Sequence, residues 1–247
     1  MERVMSEELR QARIDLAAAL RLAARFGLHE GICNHFSYMV PGADDRFLIN
    51  PQGHHWSEIR ASDLLLVDRD GRLIEGAAQP EPTAFYIHWR IHRGLPQARA
   101  VLHTHMPYAT AITTLEDGRL EPISQTAIGF HDRIAYDDDY NGLALDEAEG
   151  DRMMRALGNK SILFLANHGV MVTGRDMHCA FDDLYYLERA SQLQWLAMST
   201  GRKLRRVPDE VVRKTAQQFI RQGNSQARPH FEALKRLLDR EEPDYKS

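Results

Sequence analysis

Residues 100–105 read Ala-Val-Leu-His-Thr-His, and residues 162–169 read Ile-Leu-Phe-Leu-Ala-Asn-His-Gly. Each is a short apolar run that ends at histidine. Runs of this length suit strands buried on both faces. Side chains two apart on a strand share a face, so His103 and His105 can point the same way. Two imidazoles converging at a strand end make half of a nitrogen-rich site for zinc or a similar divalent ion. If the second strand ends beside the first, His168 completes a set of three with an open coordination position. Spacing alone leaves another reading standing. A chain with 12 histidines can carry an ordinary pair of strand histidines by chance.

Around these strands the pattern alternates between helix and strand. Ser6 can cap a first helix in which Leu9, Ala12, Leu16, Leu20 and Ala23 recur at helical spacing, up to a stop at Gly27. Strands are expected at 36–40, 47–50 and 64–68, and Asp70-Gly71 turns the last of these towards Leu73-Ile74. Residues 83–93 carry a helical period closed by Gly94 and Pro96, and Pro107 opens a helix over 108–115. Asp146-Glu147-Ala148-Glu149 reads as a capping box for a helix to Leu157. The strand bearing His168 is expected to run on through 170–173 to Gly174. A long helix over 176–200 follows, and Pro208 and Pro229 open two more. This order has no regular βαβ alternation, which points to a mixed or antiparallel sheet with helices packed on it.

The 247 residues are 43% hydrophobic and contain no Pro/Gly/Ser tract, like-charge run or repeat, so a single domain over 1–247 is expected. A net charge of −4 argues against a nucleic-acid or anionic-membrane binder. No apolar stretch approaches the roughly 18 residues of a membrane span. Residues 1–8 are polar and charged, unlike a secretory signal, and Cys33 and Cys179 suggest neither a disulfide framework nor a zinc finger. A cytoplasmic location is expected. Neither a dinucleotide fingerprint nor a phosphate loop occurs.

Several blocks carry a resemblance. They are 83–105 (TAFYIHWRIHRGLPQARAVLHTH), 163–169 (LFLANHG), Asn34-His35-Phe36-Ser37, 47–62 (FLINPQGHHWSEIRAS) and 185–190 (YYLERA). From about Gln11 to Ala197 the chain resembles the class II aldolase/adducin family, and FLINPQG and NHF look closest to its adducin branch. The resemblance implies an α/β fold of three layers, α/β/α, around a central mixed, mostly antiparallel sheet. It implies that His103, His105 and His168 bind Zn2+ or another divalent metal such as Mn2+. It further implies a small-molecule substrate and a homo-oligomer, a tetramer, with the C-terminal helices 208–240 at a subunit interface. The activity implied is a lyase that cleaves a C–C bond of a hydroxy-carbonyl compound, the metal stabilising the enolate that forms. A decarboxylase or dehydratase of the same fold, or a non-catalytic adducin-like interaction domain, are the alternatives.

The chain departs from the family where its aldolases carry the glutamate that moves the proton, because Ala84 stands there. The nearest acid is Glu81, between Pro80 and Pro82. It reads either as a helix cap or as a displaced catalytic acid/base. By the resemblance, Asn34, Gln52, Gly53 and Thr83 lie where family aldolases hold the substrate's phosphate. Pro82-Thr83 replaces a pair of serines, so a carboxylate or unphosphorylated substrate fits as well as a sugar phosphate. Asn34 reads equally as a loop residue and Gly53 as a turn glycine. His54-His55 and Asp137-Asp138-Asp139 read as solvated surface loops. Tyr185, Tyr186, Trp195 and Met198 read as core or subunit-contact residues.

Overall fold

The computed structural model describes residues 2–142 and 147–247, with the side chains of 2–6, 82, 83 and 147 left aside. Along the chain come α1 (Glu2–Arg25), β1 (His35–Met39), β2 (Arg46–Ile49), β3 (Leu65–Asp68), β4 (Leu73–Glu75) and α2 (Pro82–Gly94). Next are β5 (Ala100–Thr104), α3 (Pro107–Thr113), α4 (Gln125–Ile128), β6 (Ile134–Asp137) and α5 (Glu147–Leu157). The chain ends with β7 (Ile162–Leu165), β8 (Gly169–Gly174), α6 (Met177–Met198), α7 (Asp209–Gln222) and α8 (Ala227–Glu241).

The strands form one mixed sheet in the order β4-β3-β2-β1-β5-β8-β7-β6. Each neighbouring pair is antiparallel except β6–β7, whose parallel crossover passes through α5. Strand alternation sorts the side chains into two cores. On β5, Ala100 and Leu102 join Leu16 and Leu20 of α1 and Leu184 of α6, while Val101 points the other way to Ile87, Ile91 and Met153 of α2 and α5. Helices therefore cover both faces, as the α/β reading requires. Each fully buried Leu or Val contributes about 1.5–3 kcal/mol, which ties β5 to both layers.

Three local expectations are corrected. First, α1 starts at Glu2, so Ser6 lies inside the helix and does not cap it. Glu, Arg and Met before Ser6 are good helix formers and nothing among them breaks the helix. Second, the His168 strand does not run on. β7 stops at Leu165, and the chain reverses through Asn167 at φ 55 and returns as β8, with Leu165 opposite Gly169. Asn tolerates the left-handed conformation that this turn demands. Third, α4 and β6 are new elements, four residues each, too short to show a period. The proposed capping position Asp146 lies outside the described residues, and Pro229 falls in the first turn of α8, where a missing N–H costs nothing.

The C-terminal segment closes over α1. Tyr245 is fully buried and donates to Asp239 at 2.9 Å, and Lys235 pairs with buried Asp15 at 2.7 Å. Leu193, Trp195, Leu196 and Met198 near the end of α6 remain exposed rather than joining the core. No described helix is long and apolar enough to cross a membrane.

Candidate metal centre

The antiparallel pairing of β5 with β8 brings the two histidine-bearing segments together. His103 sits on β5, His105 just beyond its end, and His168 in the β7–β8 turn. One nitrogen from each lies within 4.8 Å of the others. His103 is buried, and His105 and His168 are half-buried. Gly169 permits this approach. A Cβ there would meet Thr104 O at 2.6 Å and His105 Cδ2 at 2.7 Å, a collision that only glycine avoids.

Two of the rings are oriented from behind. His103 Nδ1 donates to the Val170 carbonyl at 3.0 Å, and His105 Nδ1 donates to Glu30 Oε2 at 2.6 Å. Each bond commits Nδ1–H and leaves Nε2 as a lone-pair nitrogen, the form a metal ligand takes. His105 Nε2 is buried and has no hydrogen-bond partner. Burial, with His168 nearby, drives His103 well below the usual imidazole range. Burial and then His105 lower His168 to about 4. Both are neutral at pH 7, as ligation requires. A buried nitrogen without a partner is costly. Three imidazole nitrogens, one of them that orphan, fit a divalent ion of the zinc class.

The other expected site residues divide into two groups. Asn34 is brought to the cluster: it is buried, and its Oδ1 accepts from Glu30 N at 2.7 Å and His105 N at 3.4 Å. Its Nδ2 is buried without a partner. Gln52 and Gly53 lie in an exposed turn after β2, with Gly53 at φ 83. Gln52 N donates to Gln79 O at 3.2 Å, which joins that turn to the approach to α2. Glu81 caps α2, its Oε2 accepting from Ala84 N at 2.8 Å. Thr83 stands in the first turn of that helix, and Ala84 is packed under it near Phe47 and Leu65.

Two neighbours of the histidines were not among the expected site residues. Glu30 comes from the loop after α1 and had no local signal. His35 is the register partner of His103; it stood in the Asn34–Ser37 block of the resemblance, with no role assigned to it. His55 is exposed, its Nε2 3.0 Å from His29 Nε2. Asp137 departs from the solvated reading, because it is buried at the end of β6 and paired with Arg152. Asp138 pairs with Arg119 at 2.7 Å. A cavity of about 560 Å3 lies among α4, α6 and α7, lined by Phe130, Arg133, Tyr186 and Phe219, and none of the three histidines lines it.

Residues 14–195 match the family model described as Class II Aldolase and Adducin N-terminal domain. The solved structure of an aldolase II superfamily protein from Pseudomonas syringae is similar at 39% identity and TM-score 0.90, over 97% of this chain and 96% of that one. Decarboxylase NovR of Streptomyces niveus is 33% identical over 205 residues, 82% of this chain and 75% of NovR. Alpha-adducin of Mus musculus is 31% identical over 249 residues, which take in 92% of this chain and 33% of adducin. The matched stretch takes in the whole sheet with both histidine-bearing segments, and by it the chain belongs to the class II aldolase and adducin family.

Proposed function

We propose that the chain is a metal-dependent lyase of the class II aldolase type. It cleaves a C–C bond beside a carbonyl in a small hydroxy-carbonyl substrate, by aldol cleavage or decarboxylation. His103, His105 and His168 hold Zn2+ or a similar ion such as Mn2+. The observation that carries this reading is His105 Nε2, a buried nitrogen with no hydrogen-bond partner, within a cluster of three histidine nitrogens. An ion bound there supplies Lewis-acid withdrawal from a carbonyl oxygen, which both reactions need as negative charge builds. Likeness to decarboxylase NovR supports decarboxylation as one form of the reaction.

The chain's own groups do the rest. Asn34 Nδ2, a buried donor without a partner, holds a substrate oxygen beside His105. Gln52, Gly53 and Thr83 form the wall for the substrate's distal phosphate or carboxylate, a reading supported by the Gln52–Gln79 backbone bond that joins the Gln52 turn to the approach to α2. Glu81, at the head of α2, takes over the proton transfer for which Ala84 has no group. Exposed Leu193, Trp195, Leu196 and Met198 of α6 support a homo-oligomer, a tetramer, with 208–240 at its interfaces. The cytoplasm is the compartment we assign.

The adducin match and Ala84 favour a second reading, an interaction domain without activity. Such a domain has no use for a buried nitrogen left unpaired. Metal analysis separates the two. The purified protein should hold about one divalent ion per chain, lost in His103→Ala and His168→Ala. Loaded protein is then screened on sugar phosphates, hydroxy-keto acids and aromatic hydroxy acids for carbonyl or CO2 release. Failure to retain an ion overturns the lyase.

A further inference from the structure

A line of buried polar groups runs from His103 into the core beneath α2. His35 faces His103 across the β1–β5 register, with the two rings 4.8 Å apart. His35 Nδ1 lies 2.6 Å from His88 Nε2, and His88 Nδ1 is hydrogen-bonded to Ser37 Oγ. Ser37 Oγ lies 2.7 Å from His92 Nε2, and His92 Nδ1 lies 2.7 Å from the Ala98 carbonyl. All four side chains are buried. Ala84, His88 and His92 recur every four residues, so α2 turns them to the sheet on one face.

The carbonyl at the far end sets the direction of every bond. A carbonyl only accepts, so His92 Nδ1 carries the hydrogen. Burial lowers His92 to about 4, which keeps it neutral and leaves its Nε2 a lone pair. Ser37 must then donate to His92 and accept from His88 Nδ1–H. That makes His88 Nε2 an acceptor, and His35 must donate its Nδ1–H to it. With Nδ1 carrying the hydrogen, His35 Nε2 is left with its lone pair as an acceptor. No other arrangement of neutral groups satisfies all four bonds. Nor can the line conduct a proton, since a backbone carbonyl has none to exchange and Ala98 is buried. It orients, and does not relay.

We propose that His92, Ser37 and His88 are positioning residues that lock His35 in one tautomer, and that His35 Nε2 accepts a hydrogen bond from a substrate hydroxyl beside the three-histidine cluster. This rests on the lyase reading and adds a substrate preference to it. A locked acceptor favours a hydroxyl at that position and disfavours a keto oxygen, which would set two acceptors against each other.

Lactate and pyruvate are the probes, one carrying the hydroxyl and the other the keto oxygen, titrated into full-length protein loaded with Zn2+. Ser37→Ala unlocks the line with little change of volume. It should shrink the lactate-over-pyruvate preference about three- to tenfold, the worth of one hydrogen bond, with zinc stoichiometry unchanged. Nitrogen-15 NMR of the wild type should find His35 protonated on Nδ1 and bare on Nε2, and Ser37→Ala should give a tautomer mixture. A wild-type His35 protonated on Nε2 overturns the lock, and a preference unchanged in zinc-bound Ser37→Ala overturns the hydroxyl contact. A wild type that binds no zinc sinks the lyase reading and the contact with it, while the NMR result still decides the lock.

Discussion

His105 Nδ1 and the Glu30 carboxylate meet at 2.6 Å although 75 residues separate them in the chain. The carboxylate holds the ring in its ligand tautomer and raises the basicity of Nε2. Glu30→Gln should therefore weaken zinc binding about 10- to 100-fold. Because the Glu30 side chain is 66% exposed, the fold should lose little. Competition with a chromogenic chelator measures the first effect and thermal unfolding the second. Equal zinc affinity in the variant would show that Glu30 does not support His105.

Gly169→Ala tests the close approach of β8 to β5. The added methyl meets a backbone oxygen and the His105 ring, neither of which is a flexible tip. Overpacking of this kind costs about 1–3 kcal/mol. Urea unfolding should register that loss, and zinc affinity should fall with it as His105 is displaced. A variant as stable and as tight as wild type would refute the crowding.

Acid should destabilise the metal-free protein in a defined window. Burial lowers His92 and His168 to about 4 and His35 to about 3, against 6.5 in the unfolded chain. Above pH 6.5 these groups are neutral in both states and stability is fully present. As pH falls below 6.5 the unfolded chain takes up protons that the folded one refuses, so stability drops until the folded values are reached. Each group costs about 2 kcal/mol by pH 5. Urea midpoints at pH 7, 6 and 5 should fall in that order, and His92→Gln should flatten the slope. A midpoint that does not change with pH would contradict the buried neutral state.

Tyr245→Ala removes a fully buried ring and its bond to Asp239. Large-to-small changes of this size cost about 3–5 kcal/mol. The ring packs in the core under α1 and α8, on the sheet face opposite the one that carries His103. The melting temperature should drop while zinc stoichiometry stays at wild-type level.

Strands β5 and β7 could be read from the sequence because Ala-Val-Leu and Ile-Leu-Phe-Leu are buried on both faces and need no partner to look like strands. The three histidines came with them. The reversal at Asn167 was hidden because apolar runs lie on both sides of Asn167-His168-Gly169 and read as one strand, whereas the positive φ of Asn167 and the bond from His168 N to Leu165 O mark a turn. Glu30 and His35 were hidden for another reason. Their importance lies in strand register and loop closure, which place them beside residues about 70 positions away. Glu81 was legible as either a cap or a displaced acid/base; its bond to Ala84 N shows the cap, and the proton transfer proposed for it is a separate role that this bond does not decide.

The three clustered histidines ride on the middle of the sheet, with β4 and β6 at its edges. β5 is paired on both sides, to β1 and to β8, along the stretch that includes His103. Edge strands fray first, whereas doubly paired central strands open only with the whole domain. The amide hydrogens around His103 are thus among the last to exchange with solvent. On the metal-dependent reading proposed above, an ion leaves and returns many times between such openings and meets the same three nitrogens at each visit.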